Sequence, residues 1–387
     1  MARKLRTGFE LPFANTGANG SKTFTQSEYY AYLFGGFTLD GYIAYSAGVT
    51  DLNFSSLSSA SAVTYTVKNA TDARTLSNGT RGCYIDQNNV SQSVHMIDAA
   101  DFTSGFFANF WHRCFTWDTN RIYHLFGLYD GTNSYSCYIK NTGSNLELYI
   151  RQGNTTTTLN SGSFSLTSGL TWYNCQVGID NGGIITFTYN GNTISHTIAG
   201  TPAFSTFQNV GIGYGTNNGH QIDDIAINDG SGASDNSTPN SIRGYNFFDA
   251  ATLNTNSGFS AVGGTTVLAN LQDGSDSTRA SASSDLSYID FSLPTLSGTG
   301  MSETAANFTK IEAINVYGRQ IEATKASSLL KAKVTDTVAV VNREENLSLP
   351  LNVGNDSVSM FDDGSSDWVL ANLDSGDMDF RVTFDKP

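Results

Sequence analysis

The sequence predicts an all-β protein built from antiparallel sheets. Only 14% of its 387 residues are Asp, Glu, Lys or Arg, whereas 38 are Gly and 12% are aromatic. Twisted sheets with many turns typically have this polar, Gly-rich and aromatic-rich composition. Several segments also alternate apolar and polar residues with a period of two, as strands with one buried face do. No long amphipathic helix is predicted.

The alternation is clearest in LELYIRQG, in WYNCQVGID and in the residues around Phe380. In the first segment, Leu146 and Leu148 share one face and Glu147 lies on the other. A further segment, IITFTYNGNTISHTI, has Asn190-Gly191 at its centre, which is a strong signal for a hairpin turn. Cys175 alternates with polar residues and is predicted to be a small core residue.

The composition changes at residues 229–241, DGSGASDNSTPNS, which contain no large apolar residue. This segment is predicted to be a linker or an exposed loop. About 12 strands are predicted before it, enough for one large two-sheet sandwich. About 145 residues follow, enough for a smaller sandwich. The predicted domains are therefore residues 1–235 and residues 236–387.

The charge of the chain limits its partners. The formal net charge is −14, so that nucleic-acid phosphates would be repelled and no nucleic-acid partner is expected. Arg3, Lys4 and Arg6 form the only basic cluster, which is predicted to be a solvated end, with a docking tail for an acidic partner as the alternative. No apolar stretch is long enough for a membrane span, and no signal peptide is recognised at the N-terminus.

Five segments carry a resemblance to a known fold family. They are TGFE at 7–10, WYNCQVGID at 172–180, ITFTYNGNTI at 185–194, VGIGYG at 210–215 and QIDDIAIND at 221–229. In this order they resemble a concanavalin A-like (laminin G-like) jelly roll. The resemblance implies that the last of these strands closes the sandwich beside the first.

The combination of TGFE with IDDIAIND also resembles virion structural proteins of tailed bacteriophages. In those proteins a second β domain follows, with segments similar to IEAINVYGR at 311–319, SSDWVLANL at 365–373 and DFRVTF at 379–384. The resemblance implies a tail, baseplate or fibre accessory component on the outer surface of the particle. A head decoration (cement) protein or head fibre is the alternative. Other virion proteins and copies of the same chain are the implied partners, and synthesis in the host cytoplasm with release by lysis is the implied route.

The sequence does not predict an enzyme. Jelly-roll glucanases place two Glu residues on one strand as E-x-D-x-x-E, and that motif is missing; Glu147 is the only Glu between residues 29 and 302. The five histidines form no H-x-H or H-x-x-x-H pair, and no G-x-S-x-G or phosphate-binding motif occurs. A polysaccharide-degrading enzyme is therefore the disfavoured alternative.

Two acidic segments are candidates for Ca²⁺, the only cofactor considered. Asp223 and Asp224 lie in a strand that is apolar on both faces, so their carboxylates must accept hydrogen bonds from loop amides or bind a cation. Asp362, Asp363 and Asp367 lie in FDDGSSDW and either form turns or supply oxygen ligands to Ca²⁺.

The densest aromatic run, at residues 106–131, suggests a glycan site. Aromatic faces stack on sugars, so Trp111, Trp117, Tyr123 and Tyr135 could line a groove for a host surface glycan, as in an adhesin module. The alternative is that these side chains fill the core of the sandwich.

Overall fold

A computed structural model of the protein describes most of the chain. The described residues are 3–7, 21–24, 37, 39–45, 65–69, 83–86, 92–114, 122–152, 157–165, 171–200, 203–214, 220–244, 247–272, 277–299, 305–320, 329–347, 354–362 and 366–385. Sequence expectations that fall on other residues, among them those for Trp117 and Asp363, lie outside this description.

Sixteen described strands precede residue 230. They are β1 (Arg3–Thr7), β2 (Ser21–Phe24), β3 (Leu39–Tyr45), β4 (Tyr65–Asn69), β5 (Cys83–Asp86), β6 (Gln92–Asp98), β7 (Gly105–Cys114), β8 (Ile122–Tyr129), β9 (Ser134–Asn141), β10 (Asn145–Gln152), β11 (Thr157–Ser165), β12 (Tyr173–Asp180), β13 (Ile184–Tyr189), β14 (Asn192–Thr197), β15 (Asn209–Tyr214) and β16 (His220–Asp229). Nine form one sheet in the order β14-β13-β12-β7-β16-β5-β4-β2, with β1 beside β16. The other seven form a second sheet in the order β11-β10-β9-β8-β15-β6-β3.

The core of this first sandwich lies between the two sheets. Alternate residues of each strand point inward, because side chains of a strand alternate between its faces. Leu146, Leu148 and Ile150 of β10 are fully buried, as are Phe106 and Phe110 of β7 on the facing sheet. Cys175 also lies in this core, as predicted. The first part of the chain is therefore a large antiparallel two-sheet sandwich of the jelly-roll type, which confirms the predicted fold class.

The first and last strands of the sandwich lie side by side. β1 pairs antiparallel with β16, with Leu5 opposite Ile227 and Thr7 opposite Ile225. Leu5 and Ile227 are both buried in the core. The predicted closure of the sandwich by the IDDIAIND strand beside the first strand is confirmed.

The Asn190-Gly191 hairpin is also confirmed. β13 pairs with β14, and the two residues between them have φ angles of 49° and 79°. Both central residues of a type I′ turn have positive φ, which Asn tolerates and Gly adopts freely.

The second part of the chain forms a smaller and less regular sandwich. Its strands are β17 (Thr252–Ser257), β18 (Phe259–Val262), β19 (Arg279–Ala282), β20 (Ser287–Ser292), β21 (Ile314–Gln320), β22 (Leu329–Asp336), β23 (Val341–Leu347), β24 (Gly354–Met360) and β25 (Met378–Asp385). Five form a sheet in the order β17-β20-β25-β22-β23, while β18-β19 and β21-β24 are two-stranded sheets. Two six-residue helices, α1 (Val267–Gln272) and α2 (Leu370–Ser375), complete this part. None of the described helices is long and apolar enough to cross a membrane.

Aromatic residues fill the core of the second sandwich. Phe291 of β20 and Phe380 of β25 stack with ring centroids 6.1 Å apart. Phe248 contacts both rings edge-on. The indole nitrogen of Trp368 donates a hydrogen bond of 3.1 Å to the carbonyl of Met360, which satisfies its buried N–H.

The segment at residues 229–241 is a mostly exposed loop that is attached to the first sheet. The side-chain amide of Asn109 donates to the carbonyl of Pro239 at 2.9 Å, and that of Asn228 donates to the carbonyl of Ser237 at 2.8 Å. A freely solvated linker would lack these bonds. The predicted division at residue 235 falls within this segment.

The basic N-terminus is not the solvated end that the sequence predicted. Arg3 pairs with Asp235 at 3.1 Å and Arg6 pairs with Glu312 at 3.0 Å, so β1 contacts both the loop and the second sandwich. Lys4 lies 3.6 Å from Asp229. The acidic residues of the same chain therefore take up the positive charges, and a docking tail for an acidic partner has no support from this arrangement.

Candidate functional site

The outer face of the nine-stranded sheet is the candidate site, and β7 supplies its centre. Phe106, Ala108 and Phe110 point into the core, so the odd-numbered residues of this strand point outward. Asn109, Trp111 and Arg113 occupy these outward positions. Trp111, a predicted glycan contact, therefore lies on the outside of the sandwich among polar side chains.

A row of amides crosses this face. The Asn174 amide donates to Oδ1 of Asn109 at 2.7 Å, and the Gln176 amide donates to Oδ1 of Asn174 at 3.3 Å. The Asn109 amide in turn donates to Pro239. Asn109 and Asn174 each donate one hydrogen bond and accept another, and Gln176 donates to Asn174, so these bonds orient the amides of the row.

Two tryptophans border the row. Trp111 is half-buried, and its indole nitrogen donates to Oγ of Ser241 at 2.7 Å. Trp172 lies just before β12 and is also half-buried. The guanidinium carbon of Arg113 lies 5.2 Å from the ring centroid of Trp172, within the range of a cation–π interaction. Both indoles keep part of their surface accessible at this face.

Arg113 is a buried cation on the same face. Its side chain is only 5% exposed, and its Nε donates to Oε1 of Gln221 at 2.7 Å. Gln221 is fully buried. A buried charge is stable only when polar groups compensate it, so the Gln221 oxygen and the Trp172 ring hold the guanidinium in one position.

Asp223 and Asp224 lie at a β-bulge beside Trp111. The pairing of β16 with β7 shifts between Asp223 and Ala226, and Asp224 has a φ of 52°. Oδ1 of Asp223 accepts from the backbone N–H of Asp224 at 2.8 Å, and Oδ1 of Asp224 accepts from that of Gly244 at 2.9 Å. The regular alternation assumed from the sequence is therefore wrong here. Both carboxylates bind backbone amides, and Ca²⁺ binding by either one stays a prediction.

The two tyrosines that were predicted as glycan contacts do not lie on this face. Tyr123 and Tyr135 point into the core from the seven-stranded sheet, and Tyr123 is only 1% exposed. The ring of Tyr135 meets that of Phe207 edge-on at 6.5 Å, and burial raises the pKa of its hydroxyl. Neither ring face is available to a sugar, so these two side chains follow the core alternative.

Two of the acidic residues proposed for Ca²⁺ in the second part of the chain, Asp362 and Asp367, pair with arginines. Asp362 forms an ion pair with Arg343, and Asp367 forms one with Arg3. Within the part of the chain that the structure describes, no group of three or more His, Cys, Asp or Glu side chains is arranged to hold a metal ion. Ca²⁺ binding by Asp362, Asp363 and Asp367 stays a prediction.

Two of the described histidines and three of the cysteines of the first sandwich are buried. Burial lowers the pKa of His112 and of His124 to about 3, so both are neutral at neutral pH. Nδ1 of His112 lies 2.7 Å from the hydroxyl oxygen of Tyr189 inside the core. Burial also raises the pKa of the Cys137 and Cys175 thiols well above the ordinary value. These side chains serve the core rather than a surface reaction.

Comparison with known proteins gives fold similarities of low score only. Neither a family model nor a curated protein matches the chain. The marine alginate lyase of Zobellia galactanivorans is similar at 12% identity and a TM-score of 0.27, over 41% of this chain and 85% of that one. A galectin of Caenorhabditis elegans is similar at 14% identity and a TM-score of 0.25, over 34% and 88%. The receptor-binding domain of botulinum neurotoxin D is similar at 11% identity and a TM-score of 0.28, over 49% and 48%. Similarities of this size say nothing about activity.

Three residues of the face escaped the sequence analysis: Arg113, Trp172 and Gln221. Arg113 could have been predicted, because it lies two positions after Trp111 and a strand places such residues on the same face. Trp172 was predicted only to be the first residue of the WYNCQVGID segment. Gln221 meets Arg113 only through the pairing of β7 with β16, which no local pattern reveals.

Proposed function

We propose that this protein is a non-enzymatic structural component on the outer surface of a tailed-phage particle, as a tail, baseplate or fibre accessory. The observation that supports this most is the pairing of Thr7 with Ile225. Thr7 belongs to TGFE and Ile225 to IDDIAIND, the two segments whose combination resembles phage virion proteins. The two residues lie opposite each other in the pairing of β1 with β16.

The burial of two histidines and of three cysteines supports a role in contact rather than chemistry. His112 and His124 are neutral in the interior, and the Asp223 and Asp224 carboxylates are bonded to backbone amides. Such a protein acts through its surface, and many weak copies on one particle add up through a high effective concentration. Its partners are then other virion proteins and copies of itself, and it reaches the particle from the host cytoplasm before lysis.

Immunogold microscopy tests the proposal. An antibody against the full chain is applied to intact particles released from the bacterium whose phage encodes it. Gold on the tail, baseplate or fibres is the expected result, and peptides of the chain should be present in the purified particles at a fixed copy number. Gold on the head favours the decoration-protein alternative. Chain found only outside the particles overturns the proposal.

A second candidate, glycan binding, is favoured by the outer face of the first sheet. Trp111 and Trp172 each present part of an indole beside the amide row of Asn109, Asn174 and Gln176. Aromatic faces that stack on sugar rings, together with fixed amide groups that bond hydroxyls, are typical of sugar sites.

Binding of the full chain to an array of host polysaccharides tests this second candidate. Trp172→Ala should weaken binding at least tenfold in a variant that circular dichroism shows to be folded, since the half-buried indole supplies the stacking surface, and its melting temperature should fall only slightly through loss of the contact with Arg113. Leu286→Ala, at an exposed position of the second sandwich, is the matched control and should leave binding unchanged. No binding by the unmodified chain, or equal losses in both variants, counts against a glycan site on this face.

A further inference from the structure

The strand β17 differs from every other strand whose burial is described throughout. All six of its residues, Thr252 to Ser257, are exposed, so neither of its faces packs against the core. A strand of an antiparallel sheet normally buries one face. β17 nevertheless keeps extended geometry through its pairing with β20.

The outer edge of β17 is unpaired among the described strands. It is the end strand of the five-stranded sheet, and none of the described strands pairs with its other side. Six residues span about 20 Å, along which backbone N–H and C=O groups alternate toward solvent. Such an edge is a template for the addition of another strand.

β17 lacks the charged residues that usually protect an edge. Its sequence, TLNTNS, contains no Lys, Arg, Asp, Glu or Pro. The strand at the opposite edge of the same sheet, β23, carries Arg343, Glu344 and Glu345. On the first sandwich, one pair of sheet edges is bridged, since the Asn160 amide of β11 donates to the Ser195 carbonyl of β14 at 2.6 Å. A bulge at Asn254 is the one irregularity in β17, and its amide bonds Ser292 of the neighbouring strand at 2.6 Å.

The lack of charged residues in β17 favours the same strand of a second copy as its pairing partner. The chain carries a net charge of −14, so two copies repel one another over most of their surfaces. The residues of β17 add no charge to that repulsion. A strongly charged partner strand would find no countercharge on it, whereas the same uncharged strand of a second copy meets no penalty. Antiparallel pairing of β17 with its own copy also satisfies both edges in one closed twofold contact.

We infer that the protein forms a twofold dimer in which β17 of one copy pairs antiparallel with β17 of the other, joining two five-stranded sheets into one of ten strands. The dimer is independent of where the protein resides, so it holds whether or not the phage assignment is correct.

Sedimentation velocity of the full chain over a hundredfold range of concentration tests the dimer. The unmodified chain should show a reversible monomer–dimer equilibrium. The double variant Thr252→Lys, Ser257→Lys places like charges at both ends of the edge, and it should raise the dissociation constant at least tenfold. The control Asn342→Lys, Asn346→Lys adds the same charge to exposed positions of β23 and should leave the constant unchanged.

Hydrogen exchange gives a second measurement that does not depend on variants. Amides of Thr252 to Ser257 should exchange more slowly at high protein concentration than at low, while those of β23 should not change. Circular dichroism and the melting temperature establish that both double variants are folded. A chain that is monomeric at every concentration overturns the inference. So does an oligomer that the β17 lysines leave intact, or one of odd copy number.

Discussion

Replacement of Arg6 by Met should destabilise the protein far more than replacement of its neighbour Lys4 by Met. Arg6 is 3% exposed and donates four hydrogen bonds. They go to the carbonyls of Leu5 and Ile227 at 2.7 and 2.8 Å, to Oδ1 of Asn228 at 2.7 Å and to Oε2 of Glu312 at 3.0 Å. Burial lowers the pKa of this guanidinium, although Glu312 opposes the shift.

The magnitude follows from what the substitution leaves behind. Removal of one partner of a buried ion pair costs about 3–5 kcal/mol, because the other charge stays buried. Glu312 keeps a second partner, since Lys310 lies 3.0 Å from its Oε1, so the expected loss is at the lower end, about 3 kcal/mol.

Lys4 is the matched control because it carries the same charge on the same strand. Its side chain is 28% exposed and lies 3.6 Å from Asp229. Burial acts to raise the pKa of Asp229, but the backbone N–H groups of Thr103, Ser104 and Ser231 lower it overall, so this carboxylate stays ionised without Lys4. The expected loss for Lys4→Met is about 1 kcal/mol or less.

The free energies of unfolding come from urea titrations followed by circular dichroism and tryptophan fluorescence. Combination of Arg6→Met with Glu312→Gln completes a double-mutant cycle, in which the coupling energy should exceed about 0.5 kcal/mol. Two results would contradict this reasoning: losses in the free energy of unfolding that agree within about 0.5 kcal/mol for Arg6→Met and Lys4→Met, or a coupling energy of zero. Either one would mean that the pairing of Arg6 with Glu312 does not stabilise the protein.

Three further predictions concern strain, pH and thiols. Val340 is 81% exposed with a φ of 58°, so Val340→Gly should raise stability by about 1 kcal/mol in thermal unfolding, whereas Val338→Gly, at a residue without positive φ, should not. His112 and His124 have pKa values of about 3 in the folded state, below the ordinary value, so the unfolded chain binds more protons between pH 3 and 6.5. Stability should therefore fall as the pH is lowered from 6.5, by up to about 1.4 kcal/mol per pH unit for each histidine, and His124→Phe should halve the slope measured between pH 6.5 and 5. Since Cys114, Cys137 and Cys175 are buried, at most one of the four thiols should react with Ellman's reagent in the native protein, and all four after unfolding; two or more reactive native thiols would contradict this core.

Local patterns were sufficient to predict most of the first sandwich. The burial of Leu146, Leu148 and Ile150 follows from a period of two, which any regular strand with one covered face must have. The Asn190-Gly191 turn follows from the need for positive φ at two successive residues. Each signal lies within a few residues, so no knowledge of distant contacts is required.

The features that the sequence analysis missed depend on residues far apart in the chain. Arg6 is buried because Glu312, 306 positions later, lies beside it. Asp224 leaves the regular alternation because a bulge in β16 exposes its carboxylate to the N–H of Gly244. In both cases a charged residue that is ordinary in isolation is buried against a distant partner by the tertiary fold, which a single sequence does not encode in any short window.

The outer face of the first sheet and the edge of β17 differ in how their polar groups are hydrogen-bonded. The outer face of the first sheet is polar but internally bonded, because Asn174 donates to Asn109 and Gln176 donates to Asn174, so a ligand there must compete with existing hydrogen bonds. The edge of β17 offers backbone groups that face solvent and that none of the described strands pairs with, so a strand that pairs with it breaks no strand pairing of the described sheets. Contact through the edge therefore requires less rearrangement than binding on the face. For this reason self-association should be detectable in the purified chain even where no glycan binds.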